Sequence, residues 1–94
     1  ATEIPLKTVE YCCKALEICE RVSKLMDDSM ASDVGSGAHM SIAGAQSAAY
    51  NVRINLNSIH DKNYVNKTEE KLELMLSKCE KILTNISKKV EEKL

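Results

Sequence analysis

Between Asp33 and Arg53 the chain carries no Asp, Glu, Lys or Arg, and Gly, Ala and Ser fill most of the positions. That gap constrains the fold more than any other feature. A charge-free run of this length is not a solvated surface helix, and its small side chains let neighbouring backbones come close. The polar residues Asn51, Arg53, Asn55 and Asn57 close the run. An internal cation must be paired, and internal amides must find hydrogen-bond partners.

The segments on either side read as amphipathic helices. From about Pro5 to Met26, Leu6, Val9, Cys12, Cys13, Leu16, Cys19, Val22, Leu25 and Met26 recur in steps of three and four, the spacing of one helix face. Pro5 suits a first helical turn, where its missing N–H costs nothing. Asp27-Asp28-Ser29 is a short polar connection. A second helix starts near Ser32 or Asp33, either of which can cap it, and runs to about Ile59. A third starts near Asn66, with Glu69 and Glu70 favourably placed in its first turn. Its apolar stripe runs through Leu72, Met75, Leu76, Cys79, Ile82, Leu83, Ile86, Val90 and Leu94. No strand pattern, hairpin dipeptide or repeat interrupts this succession. The expected fold is therefore all-α: an antiparallel bundle of three long helices around a buried small-residue central helix. Such a three-helix unit leaves apolar faces uncovered, so it is expected to associate.

Composition narrows the partners. Phe and Trp are absent and three Tyr are present, so the core must be aliphatic. The net charge of −1 offers no electrostatic attraction to nucleic acid or to an anionic membrane, and no apolar run is long enough to span a bilayer. Cys12, Cys13, Cys19 and Cys79 form no CxxC pair. They read as free thiols used as small buried hydrophobes, which favours the cytoplasm. Asn66-Lys67-Thr68 and Asn85-Ile86-Ser87 match a glycosylation pattern that has meaning only with secretion.

On the central helix, His39, Gln46, Tyr50, Arg53 and Asn57 fall within about 40° of one line. Gly44, Ala48, Asn51 and Asn55 form a separate strip. The charge-free circumference implies a helix surrounded by protein on most sides. Arg53 either bridges a carboxylate of a neighbouring helix or grips an anionic guest with its planar fork. His39 stands about 21 Å of helix rise from Arg53, too far to serve the same reacting atom, and His60 falls in the exit turn.

Thr2-Glu3-Ile4-Pro5-Leu6, then Ser32-Asp33-Val34-Gly35, then Asn51-Val52-Arg53-Ile54-Asn55-Leu56 resemble, in order and spacing, the cyclodeaminase/cyclohydrolase family of folate enzymes. The resemblance implies an all-helical fold that forms dimers or larger assemblies, and a domain about twice this length. Nothing here matches the family's glycine-rich N-terminal turn. The chain, residues 1–94, is thus expected to be a single helical domain or the C-terminal half of a cyclodeaminase-type domain. Its opening Ala1-Thr2-Glu3, without Met, fits a processed or partial chain.

The activity implied is formimidoyltetrahydrofolate cyclodeamination. N10 of the folate attacks the formimidoyl carbon on N5, ammonia leaves, and a methenyl bridge remains. The alternative is methenyltetrahydrofolate cyclohydrolase, which adds water to that bridge. A third reading is a non-catalytic helical oligomerisation module. Neither reaction needs a metal or redox cofactor; the tetrahydrofolate derivative is the substrate. On this reading Asp33 is the catalytic carboxylate. Arg53 holds a folate carboxylate, and Asn51 and Asn55 hydrogen-bond the pterin edge. The implied partners are reduced folate, further copies of the chain, and the N-terminal half of the domain.

Overall fold

The computed structural model describes residues 2–94. It contains α1 (Glu3–Leu25), a single 3-10 turn (Asp28–Met30), α2 (Ala31–Leu56) and α3 (Lys62–Lys93), with no strand among the described residues. The expected all-α three-helix architecture is present, and each helix packs on both others.

Point contacts fix the directions. A side chain at Gly37 would meet Cys19, and one at Gly44 would meet Cys12, so α2 runs antiparallel to α1. Gly35 faces Val90 while Arg53 faces Glu69, so α3 runs antiparallel to α2. It is therefore parallel to α1. Lys71 pairs with Glu10 at 3.1 Å and Lys78 with Glu17 at 3.1 Å, one heptad further along both helices. The Thr2 and Tyr64 hydroxyls are 2.6 Å apart and tie the beginnings of α1 and α3 together. The resulting rod is 51 Å long and about 16 Å across.

The core is aliphatic, as the shortage of aromatic residues requires. Val9 and Leu16 of α1, Val52 of α2, and Leu72, Cys79 and Ile86 of α3 are its largest fully buried side chains. Each buried aliphatic contributes about 1.5–3 kcal/mol. Along α2 the inward positions include Ala31, Val34, Gly35, Ala38, Ile42, Ala45, Ala48, Ala49 and Val52. Small residues here bring the α2 backbone close to both neighbours. A Cβ at Gly44 would lie 2.9 Å from the Cys12 sulfur, inside contact distance.

Several boundaries differ from the sequence reading. The cap expected at Ser32 or Asp33 lies earlier, at Asp27. Its carboxylate accepts from the Ser29 N–H at 3.1 Å and from the Ser29 hydroxyl at 2.5 Å, and the 3-10 turn then feeds directly into α2. The Ser29 hydroxyl, foremost, holds the Asp27 carboxyl below its ordinary pKa. A depressed carboxylate pKa contributes stability above the usual carboxylate range and loses it as pH falls through the lowered value. Helix α3 begins at Lys62, not Asn66, because the Asp61 side chain accepts from the Tyr64 N–H at 3.1 Å. Helix α2 ends at Leu56, where Ser58 N–H and Ile59 N–H turn back onto the carbonyls of Asn55 and Leu56.

Two further expectations are corrected. Cys13 and Cys79 are joined as a disulfide between α1 and α3, with Cα atoms 5.8 Å apart, and only Cys12 and Cys19 remain free thiols. With two of its four thiols paired, the argument from free cysteines to the cytoplasm falls. Nor is α2 enclosed on most sides: Ser36, Met40, Ala43, Ser47, Tyr50 and Ile54 form an exposed line along it. Two neighbours cover only about half of a helix circumference. No helix among the described residues is long and apolar enough to cross a membrane.

Candidate functional site

Arg53 sits in the last turn of α2, on the side facing α3. Its Nε–H donates to Glu69 Oε1 at 2.9 Å, and the two side chains are 41% and 35% exposed. The guanidinium is therefore neither loose in solvent nor sealed in the interior. A guanidinium has five N–H donors in a rigid fork. Pairing through Nε anchors one edge and leaves the Nη edge available for a second acceptor.

An open groove of about 420 Å³ lies beside it between α2 and α3. Gln46, Ala49, Tyr50 and Arg53 form one wall, and Glu73, Leu76, Ser77 and Glu80 the other. Gln46, Tyr50 and Arg53 were placed on one line by helical spacing, and the groove gathers these three. Glu73 and Glu80 lie off the apolar stripe of α3 and were not singled out by the sequence reading. Their signal was present, since Glu69, Glu73 and Glu80 fall on one side of α3 at 100° per residue. The groove thus offers one cation, already paired with Glu69, beside two lining carboxylates, Glu73 and Glu80. That suits a guest carrying both an anionic end and a developing positive charge.

Asn51 and Asn55 lie on the other side of α2. They line an open groove of about 480 Å³ against α1, with Ile4, Pro5, Thr8, Gly44, Ser47 and Ala48. Asn51 is exposed and Asn55 half-buried. The Gly44, Ala48, Asn51, Asn55 strip of the sequence reading is thus one wall of this groove. Asp33 is exposed in the first turn of α2, where a carboxylate complements the helix dipole. Twenty residues of helix, about 30 Å, separate it from Arg53. His39 lines a third groove, with Ser36, Ser87 and Val90 among its walls. One chain therefore brings Asn51 and Asn55 together, sets Arg53 on the opposite face of the same helical end, and holds Asp33 apart.

The family model described as Formiminotransferase-cyclodeaminase matches residues 1–74. The chain belongs to the formiminotransferase-cyclodeaminase family. The match takes in α1, α2, Asp33, Asn51, Arg53, Asn55 and Glu69. A curated relative is the methenyltetrahydrofolate cyclohydrolase of Methylorubrum extorquens, 27% identical over 93 residues. That alignment covers 99% of this chain and 45% of the relative, so the chain spans about half the length of the family member it resembles. No solved structure matches.

Proposed function

We propose that the chain forms the folate-holding half of a cyclodeaminase-type enzyme acting on a one-carbon unit between N5 and N10 of tetrahydrofolate. The observation that carries this reading is Arg53. It is anchored through one edge by Glu69 and stands at the wall of an open groove. There it binds a carboxylate of the substrate tail through its Nη edge, a charge-assisted contact. Asn51 and Asn55, one helical turn apart, line the groove on the opposite face of α2, so they are assigned to the pterin edge of a folate held by Arg53 of an adjoining copy. Glu73 and Glu80 stabilise positive charge on the one-carbon centre.

In the cyclodeaminase reaction N10 attacks the carbon of the protonated formimidoyl group, whose C=N bond becomes single; the N10 proton passes to that nitrogen, and the C–N bond then breaks as ammonia leaves. Asp33 is the carboxylate assigned to that proton transfer. Its distance from Arg53 means that it enters only in an assembly that sets the start of one α2 against the end of another. Cyclohydrolase activity, in which water adds to the methenyl carbon and the ring opens, is the second reading. The relative from Methylorubrum extorquens favours it.

The test compares the chain with a chimera that joins it to the portion of the Methylorubrum enzyme it does not span. The expected result is ammonia release from formimidoyltetrahydrofolate by the chimera, with the methenyl absorbance rising in step. Loss of methenyl absorbance without ammonia would instead assign the cyclohydrolase. Asp33→Asn is expected to lower kcat at least a hundredfold while KM changes little, and Asn51→Ala or Asn55→Ala to raise KM. A chimera that folds and turns over neither substrate would refute the proposal.

A further inference from the structure

Helix α1 has two apolar seams, and only one is used inside the chain. The inner seam, through Val9, Cys13 and Leu16, is buried. The outer one passes through Ile4, Tyr11, Ile18 and Leu25, each a heptad apart, and these are from 52% exposed at Ile18 to 87% at Leu25. Thr8, Ala15 and Val22 fall between them. The steps alternate strictly between four and three residues, which is the 3.5-residue repeat of a helix that packs along another helix. The inner side of this seam faces α2, because Cys12 and Cys19 meet the Gly44 and Gly37 positions. The outer side carries an exposed column of Lys7, Lys14 and Arg21, also a heptad apart. None of the three forms an ion pair among the described residues, and the Lys14 ammonium lies 5.9 Å from the centre of the Tyr11 ring.

That charge pattern selects the occupant. A second copy laid antiparallel along the same seam would set Lys14 against Lys14 and Lys7 against Arg21, and like charges at flanking heptad positions repel. A parallel copy would need the side that α2 already fills. We infer that the outer seam of α1, with the groove it shares with α2, receives an amphipathic helix whose flank facing the basic column is acidic. We assign its source to the part of a full-length family member that these 94 residues do not span, since more than half of the matched relative lies outside the alignment. The docked helix would roof the groove over Asn51 and Asn55. The inference goes beyond the folate proposal and does not rest on it.

The probe is a designed 25-residue helical peptide with an apolar seam in alternating three- and four-residue steps and Glu on one flank. Its twin carries Lys in place of each Glu. Fluorescence anisotropy against the 94-residue chain, with no folate present, is expected to show the Glu peptide binding at least tenfold more tightly than its twin. Added salt should narrow the difference. Ile18→Glu and Leu25→Glu are each expected to weaken binding at least tenfold while the circular dichroism stays helical. Equal binding of the twins, or binding that survives both substitutions, would overturn the inference. So would a sedimentation run in which the chain is a dimer that either substitution splits, because a second copy would then be the occupant.

Discussion

Leu16→Ala is expected to lower the unfolding free energy by about 2–5 kcal/mol, read as a fall in the denaturant midpoint at unchanged slope. Leu16 is fully buried in α1, and no other aliphatic side chain in that helix except Val9 is equally enclosed. Most of the buried residues of α2 are Ala or Gly, which have little side chain with which to fill a gap. A domain of this size has roughly 5–15 kcal/mol in total, and a short chain buries a modest fraction of its surface. One truncation therefore removes a large share of the stability. Ile18→Ala, two residues away on the exposed seam, is the matched control and should move the midpoint little. Equal losses at the two positions would mean that the core is not where the three-helix packing places it.

Arg53→Ala is expected to weaken binding of folinic acid at least tenfold while leaving the melting temperature nearly unchanged. The two readouts separate because the Arg53–Glu69 pair is substantially exposed, and such pairs contribute about 0–1 kcal/mol to stability. A charge-assisted contact to a bound carboxylate is a stronger interaction. Arg53→Lys should restore little, since an ammonium cannot hold Glu69 through one edge and a guest through another. Glu69→Gln should weaken binding less than Arg53→Ala does, because the amide oxygen still accepts from the Arg53 Nε–H and keeps that edge anchored. A purely structural ion pair gives a different pattern: Arg53→Ala and Glu69→Gln would both lower stability slightly, and neither would change affinity.

The order of the helices was legible because apolar steps of three and four need only the sequence. So were the faces of α2. The strip through Gly44, Ala48, Asn51 and Asn55 became one groove wall, and Gln46, Tyr50 and Arg53 became another. Ends were less legible. Asp27 and Asp61 cap with side chains that sit one turn before the apolar pattern begins, and a pattern search starts too late to see them. The Cys13–Cys79 pairing depends on α1 and α3 running parallel in one register, which no spacing within either helix encodes. The Glu69 partnership is of the same kind. Helix α2 was expected to be enclosed because it lacks charge, but lack of charge reports what a face is suited to, not what covers it within these residues. The outer seam of α1 carries the same lesson.

The Arg53 groove is where the account places the guest, and an amide and side-chain NMR titration of the labelled chain with folinic acid tests that placement most directly. The predicted result is saturable shifts at the Arg53 Nε–H and at the amides of Gln46, Tyr50 and Ser77, absent in Arg53→Ala. Shifts confined to other faces of the rod, or none at saturating ligand, would contradict it.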